Sequence, residues 1–146
     1  MAIGAAAAAA AVVALATWYV VDTVREVDQD LDHRIARKVP CTEGMRFAGL
    51  DGLPPGARDS RCRMLSGIDT LYDVRFRIPR TDLTAWLERT YPHTKLTADA
   101  CLQHKADACA QFSPAPASGA KAHVIDLNVT YESGNSARVR FAPFTT

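Results

Sequence analysis

Four cysteines, Cys41, Cys62, Cys101 and Cys109, carry the most definite chemistry in this 146-residue chain. Their number is even, no CxxC pair occurs, and each lies in or beside a loop-like stretch. In a chain with an export-type N-terminus, that usage predicts two disulfides. Of the three possible connectivities, the local one is expected: Cys41–Cys62 with Cys101–Cys109. A regular helix over residues 101–109 would set the two Cα atoms ~12 Å apart. That exceeds the ~7 Å a disulfide tolerates, so the pairing predicts a bent or looped segment. Zinc is the competing chemistry. Cys101, His104 and Cys109, with His93 upstream, are four zinc-type ligands, but their spacing matches no strong zinc signature and leaves Cys41 and Cys62 over. A small zinc-dependent or other hydrolase built on that cluster is the alternative function.

Arginine is the second feature with chemical pull. Residues 33–146 carry 16 Lys and Arg against 11 Asp and Glu, a net +5. Arg58, Arg61, Arg63, Arg75, Arg77, Arg138 and Arg140 fall on strand-like segments. If those strands share a sheet, its wet face is arginine-rich, suited to an anionic surface or an acidic envelope protein. The competing reading is a solvated sheet face with interspersed acids. Few aromatics interleave with these arginines, so no nucleic-acid partner is expected. Asp69 and Asp73, four apart beside Arg75 and Arg77, need only ordinary cross-strand pairing. Tyr91, His93 and Lys95 read as a solvated helix-to-loop connection. No GxSxG, HExxH, P-loop or GxGxxG occurs, and no catalytic residue, metal or cofactor is expected.

The elements that would position these groups follow from periodicity. Thr70, Tyr72, Val74, Phe76 and Ile78 alternate with polar residues, and Pro79 closes that strand. A helix follows, with Thr81 as its cap and Leu83, Trp86, Leu87 and Tyr91 as its apolar stripe, up to Pro92. Ile125, Leu127, Val129 and Tyr131 alternate before the turn at Ser133–Ser136. Ala137, Val139 and Phe141 alternate after it, against Arg138 and Arg140. Arg58–Leu65 reads as a further short strand within the loop-rich span 41–67. The segment 94–112 has no clear assignment. These signals predict an α+β domain over residues 40–146, a small antiparallel sheet packed with one main helix.

The other end of the chain differs. Residues 2–21 hold no charge. As a helix that run spans ~30 Å, the thickness of a bilayer's hydrocarbon core. A transmembrane anchor over 1–21 is expected. A cleaved signal peptide competes with it, since Ala14-Leu15-Ala16 has the small-x-small form that peptidase accepts. A buried alanine-rich helix is the third reading. Val20, Val24, Val27, Leu31 and Ile35 continue as one helical stripe, which predicts a stalk over 22–39 ended by Pro40. The stripe fits a short parallel seam between copies or packing on the chain's own domain, and the oligomeric state stays open. Arg25, Arg34, Arg37 and Lys38 follow the apolar run and none precedes it, which by the positive-inside rule would leave the domain in the cytoplasm. The cysteines argue for the outside, and they are given the greater weight.

Leu53-Pro-Pro-Gly-Ala57, Gly67-Ile-Asp69, Phe76-Arg-Ile-Pro79 and Leu83 with Trp86-Leu87 together resemble a pattern in small membrane-anchored or secreted proteins of high-GC Gram-positive, actinobacterial type. The resemblance covers about 40 residues and attaches no activity. It implies an export-compatible α+β domain. The expected function is a membrane-anchored extracytoplasmic binding or accessory domain without catalysis, in contact with the membrane through its N-terminal helix.

Overall fold

A computed structural model describes residues 36–101, 105–115 and 118–146. The expected anchor over 1–21 and the stalk up to Ile35 lie outside those residues. Among the described residues no helix is long and apolar enough to cross a membrane.

Six strands form one antiparallel sheet: β1 (Ala36–Lys38), β2 (Arg58–Ser66), β3 (Thr70–Pro79), β4 (Ala108–Phe112), β5 (Val124–Glu132) and β6 (Ser136–Phe144). Their order across the sheet is β1-β2-β3-β6-β5-β4. Two meanders, one from each half of the chain, are therefore joined along β3 and β6. Helices α1 (Cys41–Phe47) and α2 (Arg80–Thr90) pack on one face, α1 over β2 and β3 and α2 over β3 and β6.

The alternation read from the sequence sets that core. Val74, Phe76, Ile78, Ile125, Leu127, Val129, Ala137, Val139 and Phe141 are all buried on the helix side. Trp86 of α2 is 5% exposed and meets Phe76, Tyr91 and Phe141 edge-on at 5.9–6.4 Å. Edge-to-face rings at such distances add to the burial of their area.

Three local assignments differ from the sequence reading. Ala36–Lys38 is a strand rather than the end of a helical stalk. Ala36 lies opposite Leu65 and Lys38 opposite Arg63, while the Val39 amide donates to the Cys62 carbonyl at 3.1 Å. The Cys41–Cys62 bond holds this segment against the free edge of β2, where ladder hydrogen bonds replace helical ones. The span after Pro40 holds α1, not a loop. Gly44 lets it approach the sheet, because a Cβ there would meet Val74 Cγ2 at 2.8 Å. The helix ends at Gly49, φ 79°, with Gly49 N–H donating to Arg46 O and Leu50 N–H to Met45 O, both at 2.9 Å. That pairing satisfies two terminal carbonyls at once. Thr81 does not cap α2. The helix starts two residues earlier, with Pro79 in the cap position and no side-chain cap. Proline's fixed φ supplies the entry geometry instead.

The expected disulfides are both present, Cys41–Cys62 and Cys101–Cys109, each with Cα atoms 5.2 Å apart. The second requires the bend expected of its segment. Cys109 lies on β4 and Thr97 pairs with it as an isolated antiparallel bridge, so the chain turns back between them.

Candidate functional site

The face of the sheet away from the helices collects the arginines. Register places Arg61 opposite Arg75, Arg75 opposite Arg140 and Arg140 opposite Asn128 in one transverse row. Arg58, Arg77, Arg138 and Thr130 form a second row, two residues along β3, β5 and β6 and three along β2, where the register shifts between Arg58 and Arg61. Arg63 stands opposite Asp73. All seven arginines singled out in the sequence thus share one face.

Like charges directly opposite one another destabilise a sheet. Two carboxylates offset this. Asp73 Oδ2 accepts from Arg75 at 2.8–2.9 Å and its Oδ1 from Arg140 Nε at 2.8 Å. Glu132 Oε2 accepts from Arg77 Nε at 3.0 Å and its Oε1 from Arg138 Nη2 at 2.6 Å. Arg77 also reaches Asp59 at 3.3 Å. Each carboxylate thereby clamps a cross-strand arginine pair between β3 and β6. On β2 nothing comparable happens: Arg58, Arg61 and Arg63 are exposed and make no ion pair with a described residue. Arg75 and Arg138, although paired, keep 59% of their side-chain surface exposed.

Hydrogen bonds from Arg138, then from Arg77, hold the Glu132 carboxyl below its ordinary value of 4.5. A carboxyl whose folded pKa is depressed stabilises the fold above its unfolded pKa, and the gain disappears as pH falls through the folded value. Glu132→Gln is accordingly expected to lower the urea midpoint at pH 7. The variant and the parent should converge as pH falls through the depressed folded-state value, below the ordinary carboxyl range. A deficit that stays constant across that titration would show that the clamp acts through shape and not charge.

Arg80 serves the scaffold. Its guanidinium sits 4.6 Å over the Tyr131 ring and donates to the Glu132 and Ser136 carbonyls at 2.6 and 3.2 Å. It fixes the β5–β6 turn and, with it, Glu132.

The remaining candidates separate. Cys101 and Cys109 are bonded to each other, so in this state neither is a thiolate for zinc. His93 is exposed, and His104 lies outside the described residues. Among the described residues no group of three or more metal-type ligands gathers. Asp69 is exposed in the β2–β3 turn, apart from Asp73. Tyr91 leaves His93 and Lys95 in solvent and joins the aromatic core, where burial pushes its phenol well up. A groove beside α1 is lined by Glu43, Arg46 and Lys121, with the Tyr72 hydroxyl donating to Glu43 at 2.9 Å.

Sequence reasoning gives Lys105 no role, and marks Asn128-Val-Thr130 only as a glycosylation sequon of little weight within a strand. Lys105, Asn128 and Thr130 border a cleft of about 240 Å³ together with Arg75, Arg138 and Arg140. The alternation over β5 placed Asn128 and Thr130 on the wet face. Only the β5–β6 register brings them beside the arginines.

Fold and face together define a disulfide-bonded α+β domain with one helix-covered and one cationic sheet face. No family model, curated protein or solved structure matches the chain.

Proposed function

We propose that this chain is an extracytoplasmic binding domain without catalysis, held at a membrane by its N-terminal segment, whose arginine face engages an anionic surface of the cell envelope. The observation that carries the reading is the pair of transverse arginine rows on the sheet face that neither described helix covers. Adjacent strands lie ~4.8 Å apart and alternate residues ~6.7 Å along a strand, so the rows suit closely spaced anionic groups. Two disulfides are compatible with a compartment outside the cytoplasm. The uncharged run at residues 2–21 supports anchoring.

The test is retention of the full-length protein on an immobilised polyphosphate over a salt gradient. Arg58→Gln, Arg61→Gln and Arg63→Gln together remove three exposed charges with no described partner. The triple variant is expected to bind about tenfold more weakly at low salt and to show a flatter salt dependence. Equal retention of parent and variant would defeat the proposal. Salt-independent capture of an acidic protein with no polyphosphate retention would replace it.

A further inference from the structure

The cleft bordered by Arg75, Lys105, Asn128, Thr130, Arg138 and Arg140 has the chemistry of a discrete site inside the broader face. Asn128 is 7% exposed, and its Nδ2 has no hydrogen-bond partner among the described residues. A buried amide donor left unmatched is costly, and native structures rarely retain one without a reason. On either side of Asn128 along the row stand Arg140 and Cys109. The loop closed by Cys101–Cys109 brings Lys105 to the cleft wall.

Charge counting narrows the occupant. Arg75, Lys105, Arg138 and Arg140 supply four positive charges, and Asp73 and Glu132 return two negative ones. The surplus of two matches a phosphate monoester, which carries roughly −1.5 to −2 at neutral pH. The volume lies below the ~300–1,000 Å³ typical of whole drug-sized ligands, so it suits one group rather than a whole ligand. Guanidinium forks, an amide N–H and a hydroxyl form a donor set that fits phosphoryl oxygens.

We infer that this cleft is a binding subsite for a dianionic phosphate monoester, with Asn128 Nδ2 as a donor to a phosphoryl oxygen and Lys105 as a charge supplied by the disulfide-closed loop. The inference rests on the binding role proposed for the face, and deepens it by naming the group. A soluble molecule and a lipid headgroup can each end in such a monoester, and the phosphoryl chemistry is common to both.

The test is titration of the full-length protein, followed by NMR of side-chain amides. The probes are glycerol 3-phosphate, dimethyl phosphate and vesicles containing phosphatidic acid. Glycerol 3-phosphate should shift the Asn128 side-chain amide resonance and bind at least about tenfold more tightly than the monoanionic diester. Its affinity should fall below about pH 6, where the second phosphate proton returns. Asn128→Asp adds a like charge and should cost at least about tenfold, and Lys105→Gln about threefold. The Arg58/Arg61/Arg63 triple variant should keep glycerol 3-phosphate binding while losing polyphosphate retention, which separates failure of the subsite from failure of the face. Binding to phosphatidic acid vesicles but not to free glycerol 3-phosphate assigns the lipid source, whereas equal binding of monoester and diester overturns the inference. So does an unmoved Asn128 amide at saturation, a readout that stands even where Asn128→Asp does not fold.

Discussion

Replacing Trp86 by alanine is expected to cost about 3–5 kcal/mol, the range for truncating a large buried aromatic ring. The indole is the meeting point of α2 with the sheet, edge-on to Phe76 of β3 and Phe141 of β6. It also touches Tyr91, which closes the cluster against Phe112 of β4 at 4.6 Å. Removing it leaves a cavity spanning both meanders, and neither can collapse into it without moving the central strand pair. Urea unfolding followed by far-UV circular dichroism measures the effect, since Trp18 would complicate a fluorescence signal. A loss below about 1 kcal/mol would show that the docking of α2 does not depend on this ring.

Trp86 is legible in the sequence because a helical stripe between two prolines leaves one large residue at its centre. The long strands were legible for a similar reason. In β3, β5 and β6, alternation continues over enough residues to separate two faces, and those faces hold the apolar core and the arginines. The short elements carry no such signal. β4 is five residues of mostly small side chains, Ala108-Cys-Ala-Gln-Phe112, and its pairing with β5 is not encoded in its own pattern. β1 has three residues, and the edge that captures it lies opposite Leu65, far along the chain. α1 carries a glycine at its centre, which argues against a helix until the close approach to Val74 explains it. For the site, residue types revealed the arginines. The clamping role of Asp73 and Glu132 and the cleft around Asn128 emerge only from register.

The second large effect concerns the disulfides. Substituting Cys41 and Cys62 together by serine is expected to cost about 3 kcal/mol, and the Cys101/Cys109 pair about 2.5 kcal/mol, because the longer loop restricts the unfolded chain more. The sequence separations are 21 and 8 residues. The first bond also holds β1 and α1 against β2, so its loss should speed proteolysis near residues 36–47. On intact cells, a thiol reagent that cannot cross the membrane should label the protein only after reduction, and non-reducing peptide mapping should return the two local pairs. Four free thiols in native protein would defeat both the bonds and the extracytoplasmic placement.

The connectivity has a consequence for how the protein is made. Each cysteine bonds to its nearest cysteine along the chain, and neither bond crosses the seam between β3 and β6. In a polypeptide delivered N-terminus first into an oxidising compartment, Cys41 meets Cys62 before Cys101 has arrived. Order of arrival alone then selects the native pairs, and no shuffling of mispaired sulfurs is required. The seam obeys the opposite schedule. Leu71 of β3 pairs with Phe144 of β6, so the sheet cannot close until β6 has been delivered. The first bond therefore secures β1 over the outer edge of β2 while β6 is still being made, so in that interval the N-terminal meander has the β3 edge alone open to aggregation.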